Sequence, residues 1–148
     1  MIRLATADDE DAILAMAKDF VAFSPYADFT SATEEELRTT IQWLITNATV
    51  FIAEKDGSPI GLLVAMIAPL WYAPRVRVAS EMAWWIDTRH RRSTAAIRLV
   101  QAFEQWAREK GATAVCMSNL DVENADVVSG MLKRMGYNRT EQTHTKRI

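Results

Sequence analysis

The sequence has little of what small disulfide-stapled or metal-built folds depend on. Among its 148 residues there is one cysteine, Cys116, and two histidines, His90 and His144. A lone cysteine excludes an internal disulfide and fits a reducing compartment. Neither histidine has cysteine or carboxylate neighbours at zinc-site spacing, so no metal is expected. With 5 glycines and 4 prolines there is no linker, low-complexity tract or repeat array. Excess positive charge is missing too. The formal net charge is -2 and the pI is ≈ 5.7, which leaves no overall attraction to nucleic acid or an anionic membrane. The longest apolar run, residues 60–71, is too short to span a bilayer, and the stretch from Met1 to Ala5 lacks the basic-then-apolar order of a signal peptide. These absences predict one cytoplasmic domain over residues 1–148, in which any anion site is a local cluster of positive groups.

What is present is ordinary globular material, 49% hydrophobic and 24% charged, at a length that buries a full core. Residues 2–5 read as a short strand. Thr6, Asp8 or Asp9 caps a helix whose stripe is Ile13, Met16, Ala17 and Phe20, and Ser24-Pro25-Tyr26 breaks it. Thr33 to Glu36 is a capping box, and Leu37, Ile41, Leu44 and Ile45 continue a second helix. Residues 49–54 and 60–68 form a hairpin about the turn 55–59, and 69–74 reads as a loop. A strand over 76–86 puts Val76, Val78, Met82, Trp84 and Ile86 on one face, with Arg77, Glu81 and Trp85 on the other unless a bulge resets the parity. The strongest helix follows, with stripe Ala96, Leu99, Val100, Phe103, Trp106 and Ala107 and a stop at Lys110-Gly111. Residues 112–118 read as a buried strand holding Cys116 in the core, and Asn124 to Met135 as a helix. Residues 137–148 are expected to add one or two short strands.

The chemistry concentrates where strand, basic loop and long helix meet: Trp84-Trp85-Ile86, then Asp87 to Arg92, then Ser93-Thr94-Ala95-Ala96. A helix N-terminus offers unpaired N–H groups and the positive end of the macrodipole, which suits a phosphate or diphosphate. Small residues from Ser93 to Ala96 admit an anion close to the backbone. Arg91 and Arg92 add charge-assisted donors, and Thr94 a hydroxyl. An ordinary solvated basic turn with a helix cap remains the alternative at this point.

These residues resemble the GNAT superfamily of N-acetyltransferases, in particular its short phage and bacterial members. Arg91-Arg92-Ser93-Thr94-Ala95-Ala96 is similar to the family's acyl-CoA pattern near Arg/Gln-x-x-Gly-x-Gly/Ala. Trp106-Ala107-Arg108-Glu109-Lys110-Gly111 resembles the phrase that ends the family's helix. Asn124 followed by Met135-Gly136-Tyr137 resembles a later segment. The resemblance covers essentially the whole chain.

It implies a mixed, centrally splayed β-sheet flanked by helices (an α/β fold), with acetyl-CoA as co-substrate and no metal. The diphosphate would rest on N–H groups from Arg91 through Arg92, Ser93, Thr94 and Ala95 to Ala96. The pantetheine arm would run along Trp84 and Ile86, and Asn124 and Ser129 would lie near its thiol. An acceptor groove would be bordered by Tyr26, Phe29, Trp71, Tyr72 and Asn119, whereas Trp43 is expected in the core. The partner would be a small-molecule or peptide amine, with no nucleic acid or membrane, and family members often form homodimers. Two departures stand out. Thr94 replaces a glycine, which would strain a left-handed position, and Leu132 occupies the place of the family's general-acid tyrosine. Glu81 is the first candidate base, and Ser129, Tyr137 or a water the candidate acid. The competing readings are a catalytically idle acyl-CoA-binding or regulatory module, and a nucleic-acid contact through residues 89–92, which the acidic pI disfavours.

Overall fold

The computed structural model describes residues 1–148. It contains a five-stranded sheet in the order β1 (Ile2–Leu4), β2 (Thr49–Lys55), β3 (Ser58–Leu70), β4 (Ala73–Ile86) and β5 (Ala114–Cys116). The first four pair antiparallel, and β4 pairs parallel with β5. Helices α1 (Glu10–Phe23) and α2 (Glu34–Asn47) cover one face, and α3 (Ala95–Glu109) the other. Helix α4 (Ala125–Arg134) follows β5. No helix is long and apolar enough to cross a membrane.

The two faces have separate cores. Ile13, Leu14, Met16 and Ile41 pack on Val50, Ile52, Leu62, Val64 and Trp85. Ala95, Leu99, Phe103 and Ala107 of α3 pack on Phe51, Leu63, Ala65, Ala79 and Ile86. Period-two alternation in β2 and β3 sends alternate side chains to opposite helices, so both faces of these strands are buried over residues 50–53 and 60–65. The helix stripes read from the sequence pack against the sheet in α1 and α3, with Ile13, Met16, Leu99, Val100, Phe103 and Ala107 buried and the rest partly so, while Leu14 and Ala95 add to the buried faces. The Thr33–Glu36 capping box forms, with the Glu36 N–H donating to the Thr33 hydroxyl at 3.2 Å and the Thr33 N–H donating to the Glu36 carboxylate at 2.7 Å.

At the N-terminal edge, Arg3 joins three segments. Its guanidinium donates to both Asp9 oxygens at 2.7 Å and to the Glu54 carboxylate at 2.7 Å. Gly61 in β3 lies opposite Ile86, where a Cβ would come within 2.8 Å of the Trp85 carbonyl oxygen. Only glycine lets β4 approach β3 there.

Several expectations are corrected. The 69–74 segment is not a loop: β3 and β4 continue to Leu70 and from Ala73, leaving Trp71-Tyr72 as a tight tip. Strand β5 has 3 residues, and Cys116 is exposed on it, because no helix covers that side of the edge strand. Trp43 is 49% exposed, since the inward side of α2 is already taken by Leu37, Ile41, Leu44 and Ile45. Residues 137–148 form no strand. They are almost wholly polar and exposed, so they have no apolar face to dock.

Candidate active site

Strand β4 has two different halves. Val78, Ala79 and Ser80 are paired with β5, but beyond Ser80 the partner strand has gone and β4 continues alone on that side to Ile86. The Asp87 N–H donates to the Ile60 carbonyl at 2.9 Å. Alternation along an antiparallel ladder therefore turns the backbone groups of Trp85 toward β3 and those of Trp84 and Ile86 outward. A free half-edge faces the gap.

The register shifts between Val64 and Ala65, where Ala83 and Glu81 lie opposite successive residues and Met82 is left over. This bulge corrects the expected parity. Glu81 shares a face with Trp84 and Ile86, on the α3 side, and is not opposite to them. Both Glu81 and Trp84 reach across the gap to one residue of the chain leaving β5. The Ser118 N–H donates to the Glu81 carboxylate at 2.9 Å, and the Trp84 indole N–H donates to the Ser118 carbonyl at 2.9 Å. Side chains thus take over where backbone pairing stops.

Burial pushes the Glu81 carboxyl up to about 7, against which the Ser118 N–H pulls weakly downward. No cation pairs with it, so Glu81 titrates near neutrality. Beyond Ser118 the chain carries Asn119, whose side-chain oxygen is 3.4 Å from the Ser129 hydroxyl of α4. Asn124 is the residue before α4, and its carbonyl accepts from the N–H groups of Val127 and Val128. Leu132 of α4 is buried. Tyr137 lies elsewhere. Its hydroxyl is buried without a hydrogen-bond partner, and burial together with the nearby Glu104 raises its pKa.

The turn from Arg91 to Thr94 enters α3. Within it the Ser93 N–H donates to the His90 carbonyl at 3.0 Å and the Ala95 N–H to the Ser93 hydroxyl at 3.2 Å. The N–H groups of Arg91, Arg92, Thr94, Ala96 and Ile97 have no partner. They gather at the positive end of a helix of 15 residues. Thr94 has φ -79, an ordinary value, so the absent glycine causes no strain. The Arg92 side chain is exposed and unpaired, but that of Arg91 is turned away from the turn's open side. Its guanidinium lies 4.5 Å from the ring centre of Phe23 and 4.4 Å from that of Trp85. On the other flank, a cleft of about 150 Å³ brings Lys55 and Arg98 to Ser93, Thr94 and Ala95.

The aromatic candidates form two separate edge-to-face pairs, Tyr26 with Phe29 at 5.8 Å and Trp71 with Tyr72 at 5.3 Å. All four are exposed, with Trp71 at 89%. The sequence reading missed Ser118, Phe23, Lys55 and Arg98. For Ser118 a signal existed, since it is the first hydroxyl after the apolar run 114–117. Phe23 also carried one, since it stands three residues after Phe20 and extends the same stripe to the end of α1.

The profile of the Acetyltransferase (GNAT) family matches residues 13–137. No curated protein sequence matches the chain. Among solved structures, the aminoglycoside N-acetyltransferase AAC(6')-Iy in complex with CoA is 18% identical. That match covers 100% of this chain and 93% of that one with a TM-score of 0.78. An aminoglycoside acetyltransferase from an uncultured soil metagenomic sample is 20% identical, with 100% and 94% coverage and a TM-score of 0.73. The ribosomal-protein-alanine N-acetyltransferase of Brucella melitensis biovar Abortus 2308 is 13% identical, with 100% and 98% coverage and a TM-score of 0.76. At these identities the structural likeness establishes the fold: the mixed, splayed sheet between helices. The family profile spans most of that fold, from within α1 through α4, so the chain belongs to the acetyltransferase (GNAT) family.

Proposed function

We propose that the protein transfers an acetyl group from acetyl-CoA directly to a primary amine, with Glu81 as the base. Family membership makes it an acetyl-CoA-dependent N-acetyltransferase. The observation that carries the mechanism is an uncompensated, partly buried carboxylate at the point where β4 loses its partner. In our reading the diphosphate of acetyl-CoA rests on the free N–H groups of residues 91–97, with Arg92 exposed beside them. The pantetheine arm lies along the outward edge of Trp84 and Ile86, and Asn124 and Ser129 approach its thiol end from α4. Structural neighbours in complex with CoA or a CoA-containing bisubstrate analogue support CoA as the ligand.

An alkylamine with a pKa near ~10.4 carries a free lone pair in only about one molecule per thousand at neutral pH. Glu81 takes the surplus proton, directly or through water. The amine nitrogen then bonds to the thioester carbon, the carbonyl oxygen gains charge beside outward N–H groups of β4, and the C–S bond breaks. Thiolate departure needs little assistance. A thiol pKa near ~8.5 puts the protonation cost at only about 2 kcal/mol at pH 7. The second N–H proton, lost from nitrogen as the amide forms, passes through a water or the Ser129 hydroxyl to the departing thiolate, while the first leaves Glu81 for solvent. Tyr137, enclosed beside Glu104, is set aside for this role.

The acceptor is an amine bordered by Tyr26, Phe29, Asn119 and the Trp71-Tyr72 tip. Structural neighbours act on aminoglycosides and on a ribosomal protein, so both a small polyamine and a peptide N-terminus belong in the test. The exposed, unpaired Cys116 suits a reducing compartment. The decisive assay is steady release of free CoA from acetyl-CoA with a panel of amines. Amine-dependent turnover is expected. Binding of acetyl-CoA without turnover for any amine would instead support an idle binding module, the reading that the buried Leu132 favours.

A further inference from the structure

Arg91 is the residue whose placement in the structure departs most from what its position in the motif suggests. A basic residue opening a phosphate-binding turn would be expected to point at the phosphate. Here the guanidinium lies over two rings, its carbon 4.5 Å from the centre of Phe23 and 4.4 Å from that of Trp85, while its Nε donates to the Ile86 carbonyl at 3.3 Å. The rings also touch each other, with centres 5.3 Å apart at 65°. No carboxylate pairs with Arg91, so its charge is met by ring faces and one carbonyl dipole.

The turn it anchors has few bonds of its own. Apart from Ser93 and Ala95, its N–H groups are open, and open donors do not hold a loop in one shape. The stack supplies the missing constraint. Trp85 is a buried residue of β4, and Phe23 is the last residue of α1. We infer that Arg91 is a positioning residue for acetyl-CoA, fixing the turn so that its N–H groups converge on the diphosphate before the ligand arrives. This inference rests on the cofactor placement proposed above. Preorganisation of this kind raises affinity by lowering the ordering cost on binding. A lysine keeps the charge but loses the planar face that stacks.

The test compares the wild type with Arg91→Lys, Phe23→Leu and the double variant, by titration calorimetry with acetyl-CoA and with S-acetylpantetheine, which lacks the diphosphate. Each single variant is expected to weaken acetyl-CoA about tenfold and S-acetylpantetheine less than about twofold, with the double variant little worse than either single. Phe23→Tyr retains the ring and keeps wild-type affinity, which covers the case in which Phe23→Leu fails to fold. If Arg91→Lys weakens acetyl-CoA while Phe23→Leu does not, the guanidinium binds the diphosphate directly and the inference fails. Equal weakening of both ligands would make the stack a general support of the fold, which also overturns it. Absence of wild-type binding to acetyl-CoA would reject the cofactor placement itself, an outcome distinct from these.

Discussion

Asp9 and Glu81 are carboxylates withdrawn from water in two regions of the same sheet, yet they behave oppositely. Asp9, beside β1, accepts two hydrogen bonds from Arg3 at 2.7 Å and one from the Thr6 N–H at 2.8 Å. The guanidinium holds its pKa down at about 2. Glu81, at the open end of β4, receives one N–H from Ser118 and no cation, so burial carries it up to about 7. The joint at the N-terminal edge is electrostatically complete, while the gap in the sheet is not. A fully paired carboxylate serves structure, and an unpaired one near neutrality is available for proton transfer.

Exchanging the charge in the open region has the largest effect. Glu81→Gln retains an oxygen for the Ser118 N–H but no basic group. Turnover in a steady-state assay is expected to fall about a hundredfold, while acetyl-CoA affinity by calorimetry stays within about twofold. Unchanged turnover removes Glu81 from the mechanism. In the wild type the acid limb of kcat/KM should show an apparent pKa of about 7 that vanishes in the variant.

The paired region responds in stability instead. Asp9→Asn should lower unfolding free energy at pH 7 by about 2 kcal/mol in urea titrations, with turnover per folded molecule intact. The sign follows from linkage. A carboxylate with a lowered folded pKa stabilises above its unfolded value and loses that contribution as pH falls, here from about 3.8 through about 2. Glu81 has the reverse slope. Its raised pKa favours the folded state below 4.5, and the benefit disappears as pH rises through about 7. Glu81→Gln should therefore gain roughly 2–3 kcal/mol on the wild type between pH 5 and pH 8. A parallel pH dependence of the two melting curves would show that Glu81 is solvated.

The smallest effect is expected at Trp84. Trp84→Phe removes the donor to the Ser118 carbonyl and should cost about 1 kcal/mol in stability. A loss several times larger would mean that the indole, more than Glu81, closes the gap.

The contrast also marks what the sequence could and could not reveal. Periodicity exposed the stripes of α1 and α3, because burying apolar residues on a helix leaves a 3–4 spacing that nothing else produces. The turn at 91–96 was visible as small residues between a strand and a strong helix. The geometry at Glu81 was not. Its facing depends on a single extra residue, Met82, and β-bulges have no composition of their own. The contact of Arg91 with the two rings was equally hidden, since Phe23 is far from it in sequence and Trp85, though six residues away, meets it only through the turn between them. The expected strands over 137–148 do not form, because strand formation needs a face to bury and this segment is polar and exposed.

The central claim is that main-chain donors of the turn hold a diphosphate while the half-edge of β4 holds the arm. Amide chemical shifts in an isotope-labelled sample test this residue by residue. Adding CoA should move the N–H resonances of Arg91, Arg92, Thr94, Ala96 and Ile97 together with those of Trp84 and Ile86. Adding pantetheine should move only Trp84 and Ile86. Saturating CoA that leaves the turn amides unmoved, or shifts a different surface, would contradict the account.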